Sequence, residues 1–379
     1  FASVKRAPDA LVDTLRSLPG VADVQTTTEF AVRVEIEGLS DPIIGQLIGV
    51  DARQGLRMNR ITLRSGRAAD DSMSPGRVQS DGALPAWVSE SFAIAHGLQP
   101  GARLSALING KRRALVMAGV ALSPEYIFAG LWGMPDQRGF GVFWVDDEAL
   151  SAAYDMQGAF NRVTVKLAPG ADERAVIAAL QDRLARYGGR EAHGREDQVS
   201  HAMLDNEIKE QQVMGTVLPS IFLGVAAFLL NVVISRLVAT QREQIAALKA
   251  LGYPNAAIAA HYLKMVLVIV AAGFALGLAL GHWLGTMFTG LYAEFFRFPS
   301  FEHRIAPWLV LVGAVLSVAT AVLGTLNAIA ATVRLAPAEA MRPPAPGRYR
   351  RTLLERLGVQ RIGTALRMIL RNMERRPLR

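Results

Sequence analysis

The 379-residue sequence contains no cysteine, which excludes disulfide scaffolds, thiol nucleophiles and thiolate metal sites together. Its six histidines, His96, His193, His201, His261, His282 and His303, stand at no spacing that suggests metal ligation. No serine or carboxylate pair stands out with a catalytic partner. The chain opens on Phe1 rather than methionine, no signal peptide precedes it, and RNMERRPLR closes it. It therefore reads as a piece of a longer protein. Acidic residues are scarce at the far end: Arg334 to Arg379 holds twelve arginines, no lysine and three acids, leaving 29 basic and 30 acidic residues of the chain's 41 and 33. The net charge of +8 thus resides in that tail. Because the arginines follow a membrane-length apolar run, the positive-inside rule accounts for them more simply than nucleic acid does, and no nucleic-acid partner is expected.

Long apolar runs are also missing before about residue 205, where the sequence looks like an ordinary globular domain. Ala7 to Leu18 predicts a helix ending at Pro19–Gly20, and Val21 to Glu37 alternates as a strand. Further strands are expected at Ile43–Val50, Arg60–Leu63, Trp87–Ser89, Phe140–Val145 and Arg162–Leu167. Asn109–Gly110 between two apolar-rich stretches suits a type I′ hairpin turn, since both residues tolerate positive φ. Asp146 is placed to cap a short helix. Asp172 to Tyr187 predicts a helix with Val176, Ile177, Leu180 and Leu184 inward. Residues 1–195 are thus expected to form an α+β domain. The loop YIFAGLWGMPDQRGF, Tyr126 to Phe140, clusters aromatics with glycines; core or membrane-edge packing is the default, a lipidic substrate or outer partner the alternative.

Glu196 to Gln212 is polar, free of glycine and proline, and compatible with a helix that runs into the first apolar span; it reads as a surface helix or as a stalk. Residues 213–334 hold three runs long enough to cross a hydrocarbon core of ~30 Å, at about 213–238, 261–288 and 306–330. An all-α transmembrane bundle is expected there. In the second run Gly273, Gly277, Gly281 and Gly285 recur every four residues and predict a face of close helix packing. Asn231, in the first run, suggests an interhelical hydrogen bond. Arg236, Arg242, Lys249 and Lys264 bracket the turn between the first two runs, so that turn and the tail are expected inside and residues 1–212 outside. A large outer domain at the start then requires an earlier crossing, a fourth span upstream. Between the first two runs lies QREQIAALKALGYPN, Gln241 to Asn255. As a helix it would set Ile245, Leu248 and Leu251 in one stripe, leave Arg242, Glu243 and Lys249 to water or a partner, and stop at Gly252.

REQIAALKALGY, Arg242 to Tyr253, set between two spans, resembles the cytoplasmic coupling helix of FtsX-like ABC transporter permeases, the group that includes MacB and LolC/LolE. PAEAMRP, Pro337 to Pro343, is similar to that family's segment after its last span. SLPGVADVQ and WVSESFAIAHGLQPGARL resemble the periplasmic domain inserted after its first span. ALRMILRNMERRPLR resembles an elbow helix that leads into a second FtsX-like unit, so 335–379 is expected to be a basic linker within a duplicated permease. The resemblance implies a multi-pass protein of the bacterial inner membrane and a partner ABC ATPase. This chain has no glycine-rich phosphate loop, so no cofactor is expected in it and ATP would be bound by the partner. Arg242, Glu243 and Lys249 would make polar contacts to that ATPase. Ile245, Leu248 and Leu251 would be its apolar anchors, with Gly252 and Tyr253 closing the motif.

Further implied partners are the bilayer, a periplasmic adaptor or substrate, and a second unit or permease copy. The implied role is non-catalytic: ATP hydrolysis elsewhere moves the outer domain, for export or mechanotransmission of a lipid, lipoprotein or other hydrophobic substrate. Two alternatives stay open, a non-transporting FtsX-type regulator of an outside hydrolase and a membrane sensor without an ATPase.

Overall fold

The computed structural model describes residues 1–39, 41, 43–66, 75–131 and 134–334. The PAEAMRP segment, the elbow helix and the rest of the tail lie outside the described residues. In chain order the first part runs β1 (Ala2–Pro8), α1 (Leu11–Arg16), β2 (Val21–Thr27), β3 (Glu29–Glu35), β4 (Ile43–Val50), β5 (Thr62–Gly66), β6 (Leu84–Ser89), α2 (Glu90–Ala95), β7 (Arg103–Ile108) and β8 (Lys111–Leu122). A 3-10 turn at Pro124–Tyr126 follows, then β9 (Gly130–Leu131), β10 (Met134–Pro135), β11 (Phe140–Asp146), α3 (Asp147–Ala153), β12 (Ala159–Leu167) and α4 (Glu173–Ala185). Four helices complete the chain: α5 (Val199–Thr240), α6 (Arg242–Ala250), α7 (Asn255–Phe295) and α8 (Pro307–Arg334).

The expected α+β domain is present, built on two principal sheets. The smaller has the order β1-β12-β2 and is covered by α1 and α4, with Leu15, Val24, Phe160, Val163, Val176 and Leu180 in its core. The larger runs β5-β8-β6-β11-β4-β3-β7, and β7 pairs back onto β8. The 12-residue β8 is long enough to hold three neighbours, so six of these strands close on themselves and leave no edge between them. Alternation sorts the side chains: Ile43, Leu47, Leu84, Ala86, Phe143 and Val145 share one core, while Ile48, Val50, Trp87, Val142 and Trp144 share another on the opposite face. With both faces covered, β6 and β11 are buried at every position.

Two expectations change. Val21 to Glu37 is not one strand, because Thr28 breaks it and sends β2 and β3 to different sheets. Thr28 is buried, its hydroxyl lies 3.1 Å from that of Ser151, and its carbonyl accepts from Gly49 N–H at 2.8 Å. The helix expected from Ala7 is only Leu11–Arg16, since Ala7 and Pro8 pair with Phe160 and Ala159 in the small sheet. The hairpin turn is as read, with φ of 45° at Asn109 and 74° at Gly110, and Asp146 accepts from Ala149 N–H at 3.2 Å as the cap of α3.

Among the described residues three helices are long and apolar enough to cross a membrane, α5, α7 and α8 up to Ala330. At about 1.5 Å per residue, the 42 residues of α5 and the 41 of α7 reach about 60 Å, twice a hydrocarbon core. The chain divides into two compact units. One comprises 1–219 and 277–307, the other 220–276 and 308–379.

Candidate functional surfaces

The first candidate surface is α6, in the unit of 220–276 and 308–379. Gln241 precedes it, and its side-chain oxygen accepts from the Tyr262 hydroxyl of α7 at 2.7 Å. Ile245, at 2 % exposure, packs with Ile258, Tyr262, Leu237, Val238, Met265 and Ile329. Ala246 is buried beside it. The helix ends in a Schellman arrangement: Gly252 N–H reaches Lys249 O and Tyr253 N–H reaches Leu248 O, both at 3.1 Å. That closure needs φ of +90° at Gly252, a conformation few residues other than glycine adopt.

Ile245, Leu248 and Leu251 therefore do not present one stripe. At 100° per residue, Ile245 and Leu251 lie about 120° apart around the axis, and Leu251 is already the C-cap. Ile245 anchors α6 to its own chain, whereas Leu248, Leu251 and Tyr253 are 40 %, 77 % and 55 % exposed. Of the charged residues Glu243 is exposed, and Arg242 and Lys249 are partly covered. Tyr262 and Ile258, which hold the helix in place, were not among the sequence candidates. Inside a long apolar run they carry no mark that separates them from other span residues.

The glycine row does not form a packing seam within the described residues. A Cβ placed at Gly273, Gly277 or Gly281 would meet nothing within 4 Å, and one at Gly285 would meet the His303 ring. Close helix approach occurs instead at Gly324 of α8, where a Cβ would stand 2.7 Å from the Ala227 carbonyl oxygen of α5. Asn231 Oδ1 is buried without a hydrogen-bond partner among the described residues.

The second surface lies in the unit of 1–219 and 277–307 and centres on residues 125–128, Glu125 and the first three residues of the aromatic loop singled out above. The start of α5 is fastened there. Gln198 caps α5, accepting from His201 N–H at 2.8 Å, while its Nε2 donates to Glu125 O at 2.7 Å. Ser200, 2 % exposed, has its Oγ 2.8 Å from Glu125 O and 3.0 Å from Phe128 O, and accepts from Phe128 N–H at 3.2 Å. The segment after α7 is fastened to the same turn: Arg297 N–H donates to Ile127 O at 3.1 Å, and the Phe296 and Phe128 rings are 5.9 Å apart. Gln137 Nε2 donates to Glu294 O at 2.6 Å, and Arg64 donates to the carbonyls of Phe298 and Pro299 at 3.0 and 2.6 Å.

The Glu125 carboxylate is paired with Arg162 of β12 and accepts from Asn59 Nδ2 at 2.9 Å. Arg162 also lies 3.7 Å from Glu29 at the start of β3. Burial raises the Glu29 carboxyl above the ordinary range; Arg162 opposes this and Glu125 adds to it. Burial also raises the Tyr126 phenol well above its usual value. Farther along, Tyr292 of α7 bonds Glu207 of α5, and Gln211 Nε2 donates to the Tyr292 hydroxyl at 2.8 Å. Of the loop's described aromatics, Phe128 is buried and Tyr126 sits edge-on to Trp144 at 6.3 Å, so both pack into the domain. Its Trp132 and Gly133 fall outside the described residues. Among those residues no group of three or more histidine or acidic side chains could hold a metal.

Residues 216–337 match the family described as FtsX-like permease C-terminal. Among solved structures, the chain is similar to the extracellular domain of the noncanonic ABC-type transporter YknZ from Gram-positive bacteria, at 13% identity over 50% of this chain and 90% of that one, with a TM-score of 0.31. It is also similar to the periplasmic region of MacB from Actinobacillus actinomycetemcomitans, at 13% identity over 53% and 82%, with a TM-score of 0.30. No curated protein matches.

Proposed function

We propose, for a chain that carries an FtsX-like permease domain over residues 216–337, that it is the non-catalytic membrane subunit of an ABC transporter. A partner ATPase binds and hydrolyses ATP, docks on α6, and moves residues 1–195 on the outer side of a bacterial inner membrane. The observation that carries this reading is the division of labour in α6: Ile245 and Ala246 are buried in the chain itself, while Leu248, Leu251 and Tyr253 stand exposed beside a closed Schellman turn. Three apolar side chains on a pre-shaped helix end, directly between two spans, are what a partner groove would take up. Lipid could cover them as well, as on any interfacial helix. The flanking Arg236, Arg242, Lys249 and Lys264 favour the cytoplasmic side. A lipid or other hydrophobic substrate, an outer adaptor and a second permease copy belong to the same reading. A non-transporting regulator of an outer hydrolase would use the same α6 contact, and a sensor without an ATPase would not.

The test is Leu248→Asp. A charge placed in the contact, together with a lost anchor, should weaken ATPase binding about a hundredfold or more, while the variant still inserts and folds, because Leu248 lies outside the buried core. Lys264→Gln serves as the control. Co-purification of Leu248→Asp with the ATPase at the wild-type level and with wild-type turnover would remove the coupling role from α6. The residue would then be a lipid contact.

A further inference from the structure

The polar ends of both long helices meet the outer domain at one short turn, and nothing in their sequences announces it. Residues 125–128 receive α5 through Gln198 and Ser200, and receive the segment that follows α7 through Arg297 and Phe296. The same turn is tied to β12 of the small sheet through Glu125 and Arg162. We propose that residues 125–128 act as a yoke: movement of the two stalk helices is combined there and enters the small sheet through the Glu125–Arg162 pair, with Ser200 and Gln198 as positioning residues. The reading of the chain as an ATP-driven permease supplies only the source of that movement.

Three features argue for a yoke rather than an ordinary loop contact. First, the bonds from α5 converge on few atoms: Glu125 O accepts from both Gln198 and Ser200, while Ser200 Oγ also engages Phe128. A helix start held this way moves with the turn, because sliding α5 by even one residue's rise of about 1.5 Å would break all of these bonds together. Second, the segment just after α7 contributes a backbone bond at Ile127, from Arg297 N–H, between the two residues that hold α5. The helices cannot shift independently at this end without straining one four-residue segment. Third, the turn's only acidic side chain is spent on the small sheet and on Asn59. Burial would lower the Arg162 guanidinium, but Glu29 and Glu125 hold it up, so the guanidinium stays charged. Tyr292, bonded to Glu207 and Gln211, ties the two helices to each other before they reach the turn.

The absence of cysteine allows a direct test in the full chain in lipid nanodiscs. Spin labels on Asp182→Cys of α4 and Glu210→Cys of α5, both exposed, report the distance between small sheet and stalk. The wild-type background should give one narrow distance. Ser200→Ala and Gln198→Leu should each broaden it at least about twofold or split it. Gln198 is less buried than Ser200, so its variant decides the matter where Ser200→Ala fails to fold. Tyr292→Phe loses the Glu207 bond but keeps the yoke. It should lower thermal stability without broadening this distance, which separates coupling from general weakening. Wild-type widths in both Gln198→Leu and Ser200→Ala would overturn the proposal, as would equal broadening in Tyr292→Phe. Adding the partner ATPase and ATP tests the other reading: a wild-type distance that never changes would count against ATP-driven movement, while the yoke is still judged on the widths.

Discussion

Where the two sheets and the start of α5 converge, one guanidinium serves two carboxylates: Arg162 is paired with Glu125 and lies 3.7 Å from Glu29. The three side chains are largely buried, so removing the cation should be expensive. Arg162→Met is expected to cost about 3–5 kcal/mol, the range for a buried pair broken from one side, read as a fall in the denaturation midpoint. Glu29 behaves differently, since its raised carboxyl binds its proton more tightly in the folded state than in the unfolded one. Stability from this group therefore falls as pH rises from the ordinary value of 4.5 through the raised one. Glu29→Gln leaves the Arg162–Glu125 ion pair without the second carboxylate and should be relatively more stable than wild type near pH 7, with the advantage shrinking towards pH 4.5. Thermal melts of the two proteins across that interval check this. Parallel pH profiles would show that Glu29 is already well solvated.

At the scale of elements, the glycines show how far a sequence pattern carries. The four-residue spacing from Gly273 to Gly285 does put small residues on one face of α7, but at three of them a Cβ would meet nothing within 4 Å among the described residues. The close crossing is made by Gly324, which has small neighbours at four-residue spacing in Thr320 and Ala328 but no glycine row to advertise it. Gly324→Leu should force α5 and α8 apart, because a Cβ there would already be 2.7 Å from a backbone oxygen. The cost is expected at about 1–3 kcal/mol or more. Gly277→Leu should leave the thermal stability of the isolated chain within about 0.5 kcal/mol. A large loss in Gly277→Leu when Gly324→Leu is tolerated would reverse this assignment. Other elements were legible for local reasons: the Asn109–Gly110 turn, the Asp146 cap and the Gly252 stop each depend on a few neighbouring residues. The closure of the large sheet and the split at Thr28 were not, since both depend on pairing between strands far apart in sequence. The aromatic loop showed its composition but not its contacts, because the Gln198 and Ser200 that seize it are polar residues common at any helix start.

At the scale of the molecule, α5 carries the chain without a break from a polar start at Val199 to Thr240, and α6 begins two residues later. A permease reading needs the two ends of that helix on opposite sides of the membrane, with Ser200 outside and α6 inside. That reading takes α6 as inside from its flanking charge, and the roughly 63 Å of α5 is longer than the hydrocarbon core it would have to cross. Because no native thiol competes for reagent, single cysteines can test this directly. Gln137 is a poor site, since its side chain is engaged with Glu294. Asp182 and Gln244 are exposed. In intact spheroplasts a membrane-impermeant maleimide should label Asp182→Cys fully and Gln244→Cys only after the membrane is opened. Labelling of Gln244→Cys from outside would place α6 beyond reach of any cytoplasmic ATPase, and the exposed Leu248, Leu251 and Tyr253 would then need an outer partner. Equal labelling of both sites before lysis would mean that α5 lies along the membrane surface rather than crossing it, with its length serving neither span nor stalk.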